Sequence, residues 1–397
     1  MHKETPPSIL KEKYMHIRIY KEEIIEGLQR AANIIPQRTG AAYLRSIWLR
    51  AEHNKLEILS TDSNIEFRGS YTAEVSEPGL VGVQGRFFVE LLRRLSSGQI
   101  SLRVDAAAPV LHIEQGRRKY KLPVNDATWF QKFSDFPEQG AVMWSGDFFQ
   151  ELINRIIYCI GDEGADALAC LFMKPGEDGR IDAAGMNGHQ FAMIRFANDD
   201  LHSLLPSEGI LVQKKYLNEL KKWLGTGEIN VNISNKRLFV RTENKAESMS
   251  LPLSSYQYPD YTVFLSRLDG ENVSTLKLDR AEAQDALLRI AIFNTESNRC
   301  TYFDLSAKEA MLSAAGQDIG SASESLDVEY SGTIEKIAFP TSNLLTIIER
   351  YFSAKLTFIL TGAEGPCGIS GSDDPDYLVI IMPMKILDDI NFSEEQV

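Results

Sequence analysis

The sequence predicts an α+β protein built from three similar domains, each with two helices packed on antiparallel sheets. Three observations carry this. A strand–helix–strand stretch is written three times, a second strand–helix unit precedes each copy, and the remaining segments are short alternating runs separated by turn residues.

The stretch is plainest at Gly209–Leu224, where Ile210, Leu211 and Val212 form an apolar strand that runs straight into a helix with Leu217, Leu220 and Leu224 on one face. Glu228–Ile233 follows as a strand. Val81-Gly82-Val83 leads in the same way into Phe88, Leu91, Leu92 and Leu95, and then into Gln99–Val104. Ile337-Ala338-Phe339-Pro340 leads into Leu344, Ile347, Ile348 and Tyr351, and then into Lys355–Leu360. The first helical anchor, Phe88, Leu217 or Leu344, falls five residues after Val83, Val212 or Phe339, so the copies lie about 128 residues apart.

The preceding units obey their own spacing. His16–Ile19 alternates as a strand before Ile24, Ile25, Leu28 and Ala32. Val142-Met143-Trp144 precedes Phe148, Phe149, Leu152, Ile153 and Ile156, and Ser274–Leu278 precedes Leu287, Leu288 and Ala291. Leu28, Leu152 and Leu287 each fall nine residues after a strand residue, Ile19, Met143 or Leu278. Between the units, Ala108-Pro109 and Asn235-Lys236 read as turns. The expected division is a polar tail over 1–14, domains over 15–139, 140–268 and 269–386, and an acidic tail over 387–397. Phe136–Gly140 and Leu268–Asn272 are the polar, Gly- or Pro-bearing junctions.

Composition narrows the function classes. A hydrophobic fraction of 44% with 24% charged residues is a globular balance. No apolar run approaches the roughly 20 residues needed to cross a bilayer, and the first 14 residues are polar with two prolines, so no membrane role is expected and a cytoplasmic location is. Cys159, Cys170, Cys300 and Cys367 lie far apart without a Cys-x-x-Cys, as small core residues do.

Catalytic signatures are missing: no Gly-x-Ser-x-Gly elbow, no phosphate-binding Gly-x-x-x-x-Gly-Lys-Ser/Thr loop and no His-Glu-x-x-His. Gly225-Thr226-Gly227 reads as a helix-to-strand turn, the six histidines are scattered, and the carboxylate pairs Asp199-Asp200 and Asp373-Asp374 read as solvated loop residues. No catalytic residue, metal site or cofactor is expected. The net charge of −13 argues against nucleic acid as a partner when taken as an average. Yet basic residues recur on the repeated helices, as Arg93 and Arg94, then Lys214, Lys215, Lys221 and Lys222, then Arg280 and Arg289. Solvated helix faces and a phosphate-facing lining both fit that recurrence.

Three further segments complete a pattern: Gly188-His189-Gln190-Phe191-Ala192, Tyr258-Pro259-Asp260-Tyr261, and the ending Tyr377–Ile386 with Met382-Pro383-Met384. With the threefold repeat they resemble the β subunit of bacterial DNA polymerase III, the DNA sliding clamp, over about residues 15–386. The resemblance implies the DNA clamp fold closing as a head-to-tail homodimeric ring, with helices lining a hole for double-stranded DNA of any sequence. It also implies a non-catalytic processivity factor that is placed by a clamp loader and tethers the replicative DNA polymerase alpha subunit and other clamp-binding-motif proteins.

By the same resemblance a peptide-binding groove is formed by Leu168 beside Ala167, by Gly188, His189, Gln190 and Phe191, by Pro259, Val263 and Phe264, and by Ile380, Ile381, Met382, Pro383 and Met384. Apolar residues with flexible methionines suit such a groove, and each alone also fits an ordinary core. Arg38 and the loop over 162–165 fall at DNA-contacting positions by the resemblance, and from their recurrence on the helices Arg93, Arg94, Lys214, Lys215, Lys221, Lys222 and Arg280 are expected to join them. Tyr120 and Leu122, on an edge strand of the first domain, are expected to meet Ile292 and Phe293 of the third domain in the other chain. The sequence departs from the family at Met186-Asn187-Gly188-His189-Gln190, where Thr-Asp-Gly-His-Arg is usual, and at Asn298, Pro340 and Asn343. A divergent clamp-like scaffold that binds peptides without loading on DNA is the alternative, and an enzyme with a convergent site a more distant one.

Overall fold

The computed structural model describes residues 15–36, 41–105, 109–295, 298–316 and 319–386. Its elements follow the expected grammar. The first repeat comprises β1 (Met15–Tyr20), α1 (Lys21–Ile34), β2 (Ser46–Glu52), β3 (Lys55–Thr61), β4 (Glu66–Thr72), β5 (Glu74–Glu77), β6 (Gly79–Gln84), α2 (Gly85–Arg94), β7 (Gln99–Val104), β8 (Val110–Gln115) and β9 (Arg118–Asn125). The second comprises β10 (Val142–Ser145), α3 (Gly146–Ile156), β11 (Cys170–Pro175), β12 (Arg180–Met186), β13 (Gln190–Ala197), α4 (Asp199–Leu204), β14 (Ile210–Gln213), α5 (Lys214–Trp223), β15 (Glu228–Ser234), β16 (Arg237–Thr242) and β17 (Glu247–Pro252). After α6 (Thr262–Leu268) come β18 (Ser274–Asp279), α7 (Arg280–Ile290), β19 (Cys300–Leu305), β20 (Glu309–Gly316), β21 (Gly320–Ser331), β22 (Lys336–Pro340), α8 (Thr341–Ile348), β23 (Lys355–Leu360), β24 (Cys367–Gly371) and β25 (Asp374–Ile381).

The spacing rule has a packing cause. Val83, Val212 and Phe339 on the strands and Phe88, Leu217 and Leu344 on the helices are all fully buried, so the fixed interval keeps one strand residue and one helix residue in the same core. Leu28, Leu152 and Leu287 are buried likewise. Three expected core positions are exposed. Met143 is 50% exposed because β10 is the last strand of its sheet and pairs only with β15. Phe148 and Leu288 are exposed because Phe149 and Leu152, or Leu287 and Ile290, already fill the buried arc of their helices.

The chain parts into two compact units, one combining residues up to Gln150 with Lys215–Leu253, the other Glu151–Lys214 with the residues from Ser254 onward. Each unit is organised on one antiparallel sheet. The first has the order β10-β15-β16-β17-β4-β3-β2-β6-β9-β8-β7-β1-β5, and the second β14-β11-β12-β13-β25-β24-β23-β18-β21-β20-β19-β22. Sheet boundaries and repeat boundaries therefore differ. The second repeat gives β10 and β15–β17 to the first sheet and β11–β14 to the other. Within the first unit β17 adds to β4, from Glu247 opposite Gly69 to Ser250 opposite Glu66. Within the second unit β25 adds to β13, from Gln190 opposite Ile381 to Ile194 opposite Tyr377.

Each of these two seams is locked by a buried carboxylate on its later strand. Glu247 in β17 accepts from Arg30 of α1, from the Tyr71 hydroxyl at 2.7 Å and from the Trp223 indole N–H at 3.0 Å. Asp374 in β25 accepts from Arg155 of α3 at 2.6 Å, from the Ser353 hydroxyl at 2.7 Å, and from the backbone N–H groups of Phe352 and Ser353. Asp374 was expected to be a solvated loop carboxylate and is only 6% exposed. The fold buries it because four donors converge there and offset its desolvation. Asp199 and Asp200 are also not in a loop. They open α4, where Asn198 caps the Leu201 N–H at 2.8 Å and the acidic side chains face the positive end of the helix.

Local turn chemistry follows the sequence more closely. Asn235 and Lys236, with φ of 49° and 58°, make the two-residue turn between β15 and β16. Gly225–Gly227 joins α5 to β15, with Gly227 at φ 111°. All four cysteines are buried and unpaired. The Phe136–Gly140 junction is held rather than loose. Asn232 donates to the Pro137 and Gln139 carbonyls at 2.8 and 3.0 Å, and Arg241 lies 3.8 Å over the Phe136 ring while pairing with Glu138. That hydrogen bond from Arg241 holds the Glu138 carboxyl down at about 2. At the other junction Leu268 closes α6 and is buried. Ala108 and the two tails lie outside the described residues.

Asp374→Ala is expected to destabilise the second unit by about 3–5 kcal/mol in urea titrations, because Arg155, 8% exposed, loses its buried partner. Burial opposes ionisation of Asp374, but the Ser353 hydroxyl, Arg155 and the Ser353 N–H together hold its carboxyl below the usual range. Its contribution is therefore present above the unfolded carboxylate value of about 4 and is lost as pH falls through the lowered folded value. Asp374→Asn should flatten that acid limb of the stability curve.

Candidate functional site

The expected groove residues lie in the second unit, and a turn places the first of them. Asn187 accepts from the His189 and Gln190 N–H groups at 3.0 and 2.9 Å, with Gly188 at φ 89°, a conformation glycine adopts without strain. The turn exposes Gly188 and His189 and sends Gln190 and Phe191 inward along β13. Phe191 and Ile380, directly paired across the β13–β25 seam, join a buried cluster with Phe172, Met186, Tyr261 and Leu268, against which Leu168, Tyr258 and Leu265 pack.

Aromatic stacking builds this cluster. Phe172 stacks on Tyr258 at 4.6 Å and Phe191 on Tyr261 at 5.3 Å, and the Tyr261 hydroxyl donates to Asp182 at 2.9 Å. Burial, with the Asp182 charge beside it, pushes the Tyr261 phenol up, so it remains a donor. The sequence pattern singled out Tyr258 and Tyr261 only as part of a motif. It carried no signal for Asp182 or for Lys174, whose ammonium lies 5.5 Å over the Tyr261 ring.

The surface residues come from two elements. Asp260, just before α6, accepts from the Thr262 N–H at 2.9 Å, and the helix turns Leu265 and Leu268 inward while Val263 and Phe264 stay 50% and 37% exposed, beside exposed Pro259. The Met382 N–H donates to the His189 carbonyl at 2.9 Å and the Met384 N–H to the Ala338 carbonyl at 2.8 Å. This tether fixes the Met-Pro-Met ending and leaves Met384 42% exposed. Ile381 is 1% exposed, and Ile380 and Gln190 are buried too, so these three support the surface rather than present it. Of the departures from the family pattern, Gln190 accepts from the Asn187 amide at 3.3 Å, Asn298 donates to the Ala315 carbonyl at 3.1 Å, and Pro340 and Asn343 stand at the start of α8.

The helix cations are mostly neutralised where they stand. Glu90 pairs with Arg93 at 4.0 Å and Arg94 at 2.7 Å, Glu219 with Lys222 at 2.8 Å, and Glu324 with Arg289. Lys214 donates to the Ile160 carbonyl at 2.7 Å and lies 3.3 Å from Asp162, in the loop expected to contact DNA. Arg280 donates to the Ser353 carbonyl at 3.0 Å. Lys215 and Lys221 have no carboxylate partner among the described residues, Lys215 lying 4.9 Å over the Tyr216 ring. Arg38 lies outside the described residues. Among those described, no three His, Cys, Asp or Glu residues gather as a metal site, and no helix is long and apolar enough to cross a membrane.

The closing surfaces differ from expectation in one respect. β9, which carries half-buried Tyr120 and Leu122, lies between β6 and β8 rather than at the sheet edge. It nevertheless pairs with β6 through Val124 and Asn125 alone, and Arg118–Pro123 pair only with β8. β21 is open in the same way, with Gly320–Asp327 paired only to β20 and the later residues to β18. Ile292 is 72% exposed and Phe293 half-buried in a single 3-10 turn after α7.

Two family models match, described as the N-terminal domain of the DNA polymerase III beta subunit over residues 15–134 and its C-terminal domain over 269–385. Together they take in more than half of the chain. The chain belongs to the family of bacterial DNA polymerase III beta subunits. It is 24% identical over 377 residues to the beta sliding clamp of Pseudomonas aeruginosa, and 22% identical over 377 residues to that of Caulobacter vibrioides. Both matches cover 94% of this chain and all of the relative. Among solved structures, the P. aeruginosa DNA polymerase III subunit beta superposes with a TM-score of 0.85 at 24% identity, and the Caulobacter crescentus sliding clamp with 0.86 at 21%. Each comparison covers 94% of this chain and all of the other, which establishes the clamp fold.

For this beta-subunit chain, Glu90→Gln with Glu219→Gln frees three cations at exposed sites. The pair of changes should tighten binding to a short DNA duplex several-fold at low salt and steepen its salt dependence, measured by fluorescence anisotropy.

Proposed function

We propose that this chain is a DNA polymerase processivity factor, a homodimeric ring that encircles duplex DNA, slides along it and tethers a replicative polymerase through the groove of the second unit. The observation that carries the reading is the pair of half-open strands. β9 holds the place in its repeat that β17 and β25 hold in theirs, and β21 the place of β4 and β13. The two seams already present join those strand classes, β17 to β4 and β25 to β13. β9 of one copy and β21 of another are the strands left to make the same junction, and two such contacts, each heterologous, close a dimer.

The chemistry of the open strands supports this pairing. Arg118, Lys119 and Lys121 stand on β9, opposite in charge to exposed Asp327 on β21, and Ile292 and Phe293 add apolar area. A ring holds DNA by topology and needs no base contact, so cations softened by neighbouring carboxylates suit sliding. The role is non-catalytic. Its partners are double-stranded DNA, a second copy, a clamp loader, the polymerase alpha subunit and other proteins with clamp-binding motifs.

Light scattering should give about twice the chain mass of 44.6 kDa, and Ile292→Ala with Phe293→Ala should shift it toward monomer. Once loaded on a nicked circle, the protein should resist salt that removes electrostatic binders and leave within minutes of linearisation. Equal retention on linear and circular DNA sinks the topological role and leaves the scaffold reading.

Met384→Asp tests the groove separately. It places an unpaired charge among apolar side chains at an exposed position, so melting and dimer mass should hold while binding of a Gln-Leu-x-Leu-Phe peptide is lost. Calorimetry decides it, with an affinity in the micromolar range expected from two buried apolar anchors gaining roughly 3–6 kcal/mol before ordering costs. Undiminished binding by the variant moves the peptide to another surface.

A further inference from the structure

The second repeat differs from the first in how it holds the segment that leaves it, and the difference falls where α6 begins. Trp48 and Phe172 occupy the same place in their repeats, each two residues beyond Ser46 or Cys170, the residue paired with Gln84 or Gln213 where the next strand meets its helix. Two residues further along stand Arg50 and Lys174, opposite Glu57 and Asp182 on the neighbouring strand. In the first unit the carboxylate reaches the departing segment only through the cation, because Glu57 pairs with Arg50 at 3.1 Å and Arg50 lies 5.0 Å over the Phe130 ring. In the second unit it reaches that segment directly, through the 2.9 Å hydrogen bond from the Tyr261 hydroxyl to Asp182.

The two holds differ in precision. A cation is attracted over the whole face of a ring, whereas an O–H donor to a carboxylate keeps one distance and one angle. Asp182 is itself fixed. It is 8% exposed in β12, between β11 and β13, and Arg195, opposite it on β13, donates to its other oxygen at 2.9 Å. Tyr261 is 3% exposed, and its carbonyl accepts from the Phe264 and Leu265 N–H groups at 3.0 and 3.4 Å. The grip of Asp182 therefore passes through one side chain into the turn that bears Val263 and Phe264. With seven residues, α6 is far below the roughly 12–15 at which a helix begins to hold by itself, so its placement depends on such anchors.

From this geometry we infer that Asp182 is a positioning residue of the peptide groove, seating the first turn of α6 through Tyr261 and so holding Val263 and Phe264 where a partner's apolar anchors meet them. The inference rests on the groove reading above. Asp182 lies behind the wall and touches no partner itself. Its effect is on the fraction of molecules whose wall is in place, and apparent affinity falls with that fraction.

The test reads two quantities on the full chain, calorimetric affinity for the Gln-Leu-x-Leu-Phe peptide and hydrogen exchange at the α6 amides. Asp182→Ala and Tyr261→Phe should each weaken the peptide about tenfold, as when about a tenth of the molecules keep α6 seated, and should speed exchange across α6 several-fold. Asp182→Asn keeps an acceptor for the Tyr261 hydroxyl, and the Arg195 side chain, 40% exposed, can turn to solvent, so this variant should recover most of the affinity and the protection. In a Phe264→Ala background the contribution of α6 to the groove is already reduced, and adding Asp182→Ala should cost no more than about twofold. A carboxylate that only stabilised the fold would show no such dependence on Phe264. Unchanged affinity or unchanged α6 exchange in Asp182→Ala and Tyr261→Phe overturns the inference. So does an Asp182→Asn variant as weak as Asp182→Ala, or an undiminished loss in the Phe264→Ala background. If the unaltered chain does not bind the peptide while α6 exchange responds as expected, the groove reading fails and the seating of α6 by Asp182 stands.

Discussion

The structure depends on a buried carboxylate at the start of a repeat's last strand, gripped by an arginine from a helix of the preceding repeat. Glu247 with Arg30 does this in the first unit, and Asp374 with Arg155 in the second. Each carboxylate gathers further donors, Tyr71 and Trp223 in one case and Ser353 in the other. A charge taken out of water needs all of its partners, and those partners come from strands and helices far apart in sequence. The seams β17–β4 and β25–β13 are therefore fixed in register at the point where a slip would strand a charge.

The same economy of charge governs the surface. On this chain of net charge −13, most of the recurring helix cations are paired, Lys215 and Lys221 excepted. Glu90, Glu219 and Glu324 each neutralise a basic residue on the helices that repeat through the chain. Such neutralisation lowers the gain from releasing counterions and so the grip on a phosphate backbone. Weak, sequence-blind contact is what sliding requires, whereas a bare row of arginines would hold the protein in place. The open stretches of β9 and β21 are treated differently, with exposed charges of opposite sign and no buried latch. A junction made of exposed charges can open and close without the cost of stripping a buried pair.

Repetition also explains why the aromatic clusters of the two units resemble each other. Trp48 with Phe130 and Phe172 with Tyr258 are the same solution to one problem, the anchoring of the segment that leaves a repeat against a strand near its start. In the second unit the cluster is flanked by α6 and the tethered Met382–Met384 segment, and in the first by a cleft where Arg50, Arg68 and Lys132 stand among Glu52, Glu57 and Asp135. One scaffold thus supports two surfaces of different chemistry, set by residues around the cluster rather than within it.

The strands and helices were legible locally, because burial at period two or 3.6 needs only residues close in sequence. Val83 with Phe88, Val212 with Leu217 and Phe339 with Leu344 mark them, and all six are fully buried. Turn residues such as Asn235-Lys236 were legible for the same reason. The motif segments Gly188–Ala192 and Tyr377–Ile386 pointed to the right family, and the two segments do pair. What the sequence could not assign was the fate of individual side chains. Asp374 reads as a loop acid until Arg155, far away in the chain, is brought to it. Met143 reads as core until β10 proves to be the last strand of its sheet. Ile381 reads as groove surface until β24 and β13 close over it. Local periodicity, composition and motif therefore determined the elements, their repetition and the family by themselves. Tertiary structure alone decided which strands join, which edges stay open and which carboxylates are buried, because the joints that settle this, Arg30 with Glu247 and Arg155 with Asp374, link residues 217 and 219 positions apart.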